Sequence, residues 1–161
     1  MTNRRTAILV SVAVVAGGTI AGIGLATQGS SKPAPVLQID EQNGRIGPVV
    51  LGETRQNIVG VLGPPPSGDA NVMRYPHLLL ELRAGRVTSI STNDPDARTD
   101  KAVSVGAPLS AVRASYRKAA KCNPNSPDKH AAHPTCQVAV GAGRMWVYGD
   151  PIAQIRLVRT R

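Results

Sequence analysis

Two stretches of the chain place apolar and polar residues in the same succession of periods. After Gly52-Glu53-Thr54, the residues Ile58, Val61 and Leu62 follow at the i, i+3, i+4 spacing of one helical face. Thr54 is suited to cap that helix, its hydroxyl accepting an otherwise unpaired backbone N–H. Gly63-Pro64 ends it, because glycine takes the left-handed terminal conformation and proline cannot continue the helix. Past the proline-rich connection 64–69, three strands are predicted at Asn71–Tyr75, Leu78–Arg83 and Arg86–Thr92. Leu80 and Leu82 alternate with Glu81 and Arg83, the period of a half-buried strand, and Ala84-Gly85 supplies a hairpin turn.

The succession then returns. A helix is predicted near Pro108–Lys118, followed by strands near Thr135–Val140, Arg144–Tyr148 and Ile152–Val158. Gly106, Val112 and Tyr116 fall 54 residues after Gly52, Ile58 and Leu62, whereas Ile152 and Ile155 fall 65 residues after Val87 and Ile90. The difference locates extra residues in the loop 122–136, bounded by the two cysteines. The expected fold class is α+β: a tandem repeat of a short helix plus an antiparallel three- to four-stranded sheet, with repeats at 36–95 and 96–161.

Ahead of the repeats, Arg4-Arg5 precede an uncharged apolar run from Ala7 to Ala26, and the next charge is Lys32. Twenty helical residues cover roughly 30 Å, the thickness of a bilayer core. Residues 1–27 therefore read as a signal anchor, or as a signal peptide cleaved after Ala26 with Gly24 and Ala26 as its small residues. Either way the positive-inside rule keeps the arginines cytoplasmic and sends the rest outside. With no cysteine near the end of the run, a lipid anchor is excluded on chemistry. The polar tether 28–35 has linker composition.

Export makes a Cys122–Cys136 disulfide the simplest use of the two cysteines, worth about 3 kcal/mol for a loop of some 15 residues in the chain-entropy model. The sharper alternative is tetrahedral zinc on Cys122, His130, His133 and Cys136, although the spacing matches no common zinc module and oxidation would consume both thiolates. Catalytic signatures are missing: there is no G-x-S-x-G elbow, no phosphate-cradling glycine loop before a lysine and no HExxH. Ser110 and Ser115 read as surface hydroxyls of the second helix, His77 as a strand residue, and Glu53 and Glu81 are not spaced for acid–base work. The expectation is a non-catalytic protein without cofactor or metal.

Charge then points to a partner. Residues 27–96 hold six Lys/Arg against seven Asp/Glu, whereas 97–161 hold eleven against three. A basic second half suits an anionic cell-surface component or an acidic protein. Nucleic acid is not expected, since the chain reads as exported and lacks an aromatic platform for strands. The cations expected to contribute are Lys118, Lys121, Lys129, Arg144, Arg156 and Arg159. Trp146 and Tyr148 share one face of their strand; they form either an exposed recognition pair or a half-buried pair against the second helix. The scarcity of large residues, with one Trp, three Tyr and no Phe, favours burial.

The segment Ile46-Gly47-Pro48-Val49-Val50-Leu51-Gly52-Glu53-Thr54, with its helix and terminal Gly63-Pro64, resembles the repeat of the SmpA/OmlA-like superfamily. That group includes the small lipoprotein of the outer-membrane barrel-assembly machine and the tandem-repeat β-lactamase inhibitor protein. The resemblance covers about 46–92 and 104–158. It implies helices on one face of an antiparallel sheet, two copies side by side, and action by binding other proteins without cofactor. Two functions follow as expectations: a protein- or anionic-surface-binding module outside the cytoplasm, or an inhibitor of an extracytoplasmic hydrolase such as a β-lactamase.

Overall fold

The computed structural model describes residues 37–123 and 135–160. The apolar run with its tether, and Lys129, His130 and His133, lie outside the described residues. In chain order the strands β1 (Gln38–Asp40), β2 (Arg45–Ile46) and β3 (Val49–Val50) precede helix α1 (Arg55–Leu62). Then come β4 (Ser67–Gly68), β5 (Val72–Arg74), β6 (Leu78–Arg83), β7 (Arg86–Thr92) and β8 (Arg98–Thr99). Helix α2 (Leu109–Tyr116) runs through a 3-10 turn, Arg117–Ala119, into β9 (Ala120–Asn123), β10 (Thr135–Val140), β11 (Gly143–Tyr148) and β12 (Gln154–Arg159). Among the described residues no helix is long and apolar enough to cross a membrane.

The fold is α+β and mostly antiparallel. Eight strands form one sheet in the order β4-β5-β6-β7-β12-β11-β10-β9, so two four-stranded meanders meet at β7 and β12. Their register survives exchange of the two strands: Ile90 faces Leu157, and Ile155 faces Thr92. Alternation decides which side is covered, since successive strand residues point to opposite faces. Leu78, Leu80 and Leu82 are buried while Leu79 and Glu81 are half-buried and Arg83 is exposed. Met145 and Val147 are likewise fully buried on β11. These side chains share one core with Ile58 of α1 and with Leu109, Val112 and Tyr116 of α2. Both helices thus cover one face, and among the described residues no helix covers the other, open face. One irregularity serves the core: Glu81 pairs with Ser89 but Leu82 with Val87, so Thr88 bulges out and Val87 is returned to the apolar side.

Each helix is tied at its start to a hairpin turn of the sheet. In α1 the Thr54 hydroxyl accepts from the Asn57 N–H at 3.3 Å, and the Arg55 N–H donates to the Gly85 carbonyl at 3.1 Å. In α2, Pro108 offers no capping side chain, and the Leu109 N–H instead donates to the Asp150 carboxylate at 3.0 Å. Gly63, at φ 78°, closes α1 by donating its N–H to the Val59 carbonyl. A further pair of backbone bonds recurs. The Gly52 N–H meets the Val87 carbonyl and the Val87 N–H the Glu53 carbonyl; the Gly106 N–H meets the Ile152 carbonyl and the Ile152 N–H the Ala107 carbonyl.

The buried stripe of α1 differs from the expected one. Ile58 is buried and Val59 and Leu62 pack against the core, but Val61 is 62% exposed. At about 100° per residue, Ile58, Val59 and Leu62 span one arc, and Val61 lies on the far side of Ile58 from its centre.

The short strands β3-β2-β1-β8 form a second sheet, antiparallel except for the parallel β1–β8 pair. Ile39, Ile46, Val49, Ala97 and Val103 are fully buried around it. A polar joint fixes this sheet to α2. The Tyr116 hydroxyl donates to the Glu41 carboxylate and lies 3.0 Å from the Thr99 hydroxyl, all three residues being buried. The Lys101 ammonium sits 4.6 Å from the centre of the Tyr116 ring. Burial lifts the Glu41 carboxyl above its ordinary value, against the lowering effect of hydrogen bonds from Tyr116 and Thr99. The Tyr116 hydroxyl is raised as well, by its own burial and then by the bond to Glu41.

Two outcomes are expected from denaturant unfolding. A carboxyl whose folded value exceeds the unfolded one contributes stability that is present below the unfolded pKa and lost as pH rises through the folded pKa. Wild type therefore loses stability on going up through that window, and Glu41→Gln flattens this dependence; an unchanged slope in the variant would show that Glu41 does not carry it. Ile58→Ala costs about 2–5 kcal/mol, whereas Val61→Ala stays within about 0.5 kcal/mol. Equal losses would contradict the observed stripe.

Candidate functional site

The open face of the large sheet is built from the strand positions left over when the core is filled. Directly paired residues form a continuous row across seven strands: Arg74, Leu79, Ser91, Arg156, Trp146, Gln137 and Lys121. A second row on the same face runs Val72, Glu81, Ser89, Val158, Arg144 and Ala139. A shorter third one runs Gln154, Tyr148, Thr135 and Asn123. Ser89 and Ser91 are only 2% and 3% exposed, so small hydroxyl residues make the floor at the middle of the face.

Across that floor lies Arg156. Its Nε donates to the Ser89 hydroxyl at 2.7 Å and its guanidinium pairs with the Glu81 carboxylate two strands away. The pair is partly exposed, and such pairs contribute about 0–1 kcal/mol. Its larger effect is to hold the guanidinium flat. Among the described strand residues on this face Glu81 is the one carboxylate, against Arg74, Arg83, Arg86, Lys121, Arg144 and Arg156.

Among the described residues, three hollows of the face stand out. One of about 290 Å³ lies at the end of β5 and β6 and includes Arg74, His77, Leu79, Asn93 and Gln154. One of about 230 Å³ includes Glu81, Arg83, Ser89, Arg156 and Arg159. The third, about 200 Å³, is lined by Lys121, Cys122, Asn123, Thr135, Gln137 and Trp146.

The structure brings Lys121, Arg144, Trp146, Tyr148 and Arg156 onto this one face. Trp146 and Tyr148 are half-buried, but they alternate with the core residues Met145 and Val147 and so point away from α2. The expected packing against the second helix is corrected accordingly: an aliphatic core fills the helix side, and the two aromatics lie among cross-strand neighbours on the other side. Arg159 sits at the strand end beside Gly52 and reaches the second hollow. Lys118 is exposed in the turn after α2, off the rows. Arg74 and Arg83 join the face from the first half, which a charge count by halves misses. Arg83 was visible in the alternation of Leu78–Arg83; Arg74 carried no such signal in its short strand.

Cys122 and Cys136 face each other across β9 and β10 and are joined by a disulfide, so their sulfurs are not thiolate ligands for a metal. Among the described residues no group of three or more His, Cys, Asp or Glu is placed to hold a metal ion. His77 Nδ1 lies 3.4 Å from the Asn93 side-chain oxygen, and the Glu53 carboxylate accepts the Val50 N–H at 3.2 Å. The Ser115 hydroxyl donates to the Lys101 carbonyl at 3.4 Å. Comparison with protein-family models, with curated proteins and with solved structures found no match to the chain.

Reduction of the disulfide is expected to lower stability by about 3 kcal/mol, the chain-entropy value for a loop of this size. Urea unfolding with and without reductant measures it, and an unchanged midpoint would contradict a structural role for the bridge.

Proposed function

We propose that the protein is a non-catalytic binding module outside the cytoplasm that docks an anionic protein or cell-surface component on the open sheet face. The observation that carries this reading is the charge of that face, where six cationic residues on the described strands stand against one carboxylate already engaged by Arg156. Like charges gathered on a surface that buries no core are better matched by an anionic partner than by each other. The N-terminal run, as signal anchor or cleaved signal peptide, would place this face at the cell surface or release it. The recurring backbone bonds at Gly52–Val87 and Gly106–Ile152, with the exchangeable β7–β12 register, support reading the chain as a duplicated unit.

A second reading, an inhibitor of an extracytoplasmic hydrolase such as a β-lactamase, is favoured by one observation, the half-exposed Trp146 at mid-face. Inhibition of a purified β-lactamase that is lost in Trp146→Ala and insensitive to salt would establish it over the first.

The charge reading is tested by binding of the protein to washed cell envelopes across a salt series. Affinity is expected to fall at least about tenfold between low and physiological salt, as exposed charges separated by more than roughly 8–10 Å become screened. The double variant Arg74→Gln/Arg144→Gln is expected to bind more weakly at low salt and to show a shallower dependence. Salt-insensitive binding would sink the proposal.

A further inference from the structure

The chain has a single tryptophan, and its fold spends that residue outside the core although the core is almost wholly aliphatic. Trp146 instead lines the hollow of about 200 Å³ with Gln137, Asn123, Thr135 and Lys121. Gln137 is its direct partner on β10, and Lys121 is the partner of Gln137 on β9. An indole beside the Gln137 carboxamide combines an apolar ring face with a group that both donates and accepts hydrogen bonds. That combination matches a pyranose ring, whose C–H face meets the aromatic face and whose vicinal hydroxyls both donate and accept. Pockets that enclose a whole ligand run to about 300–1,000 Å³, so this one holds a single ring of a longer chain. Among the described residues no carboxylate lines it, whereas Lys121 does, and Arg156 is the neighbour of Trp146 on its other side.

We propose that this hollow is a subsite for one sugar ring of an acidic glycan, with Trp146 as the stacking wall, Gln137 reading hydroxyls and Lys121 pairing with a carboxylate on the glycan. The proposal rests on the reading of the open face as a docking surface, and it narrows the anionic partner to a polysaccharide. The preference for a glycan over an acidic peptide comes from the apolar face of Trp146 and from the Gln137 amide, whose carbonyl a carboxylate-bearing side chain would leave without a donor to match.

Because Trp146 is the one tryptophan, the fluorescence of the full chain reports on binding beside this residue. Titration with a hyaluronan tetrasaccharide is expected to give a saturable change with a Kd on the order of millimolar. N,N′-diacetylchitobiose is expected to bind about tenfold more weakly, a difference of about 1.4 kcal/mol, and pentaglutamate to give no change. Lys121→Gln should remove the preference for the acidic sugar while keeping the weaker binding of the neutral one, and Gln137→Ala should weaken both. Lys121 is exposed and Gln137 half-buried on regular strands, so both variants are expected to fold, which the denaturant midpoint checks. A flat response to both sugars, or an equal response to pentaglutamate, overturns the proposal. If salt-sensitive envelope binding persists while both sugars fail, the docking face stands and the glycan subsite falls. If the tetrasaccharide binds but envelope binding does not depend on salt, the subsite stands and the charge reading falls.

Discussion

The pairing of β7 with β12 is the constraint on which the rest depends. It joins two meanders into a single sheet, over which the two helices share one core. A slip of β12 by one residue against β7 would turn Ile155 and Leu157 towards water and bring Arg156 to the apolar side, opposite Ile90. The register is therefore held by the burial of Ile90, Ile155 and Leu157 on one face. On the other it is held by Arg156, which reaches from β12 over β7 to the Glu81 carboxylate on β6. The same guanidinium that fastens the two halves sits in the middle of the candidate docking surface.

Most of the large elements were legible because their patterns are local. Leu78–Arg83, Arg86–Thr92 and Thr135–Val140 were bounded correctly from alternation and turn residues, and Thr54 and Gly63 marked the limits of α1. The small sheet was not legible. Strands of two or three residues, such as Arg45–Ile46 and Arg98–Thr99, are too short to show a period, and the parallel β1–β8 pair joins positions some sixty residues apart. β9 escaped for a related reason, since Ala120–Asn123 carries little apolar pattern and is specified by its disulfide and its ladder with β10. The joint of Glu41, Thr99 and Tyr116 was invisible for want of any sequence proximity among its members.

The candidate site shows the same division. Residues of one strand could be assigned to a common face, as Trp146 and Tyr148 were, but which face depended on what the helices cover. A count of charge by halves found the excess of cations in the second half without showing that Arg74 and Arg83 belong with it. Cross-strand neighbourhood, unlike periodicity, is a property of the sheet order.

The exchangeable register has a further consequence for how the molecule remains a single chain. If the halves are copies of one unit, each presents at β7 or β12 an edge that is complementary to its own counterpart. A separated half would then meet a second half on another chain as readily as its natural mate, in the manner of a twofold dimer. What makes the union internal is the segment between them, roughly residues 93–108, which keeps the partner edge at high effective concentration. Extending that segment changes the closure entropy only slowly, by about 0.6 kcal/mol for each doubling of its length. Cutting it would convert an intramolecular contact into one governed by protein concentration, and assembly by mass action would replace folding as the step that completes the sheet.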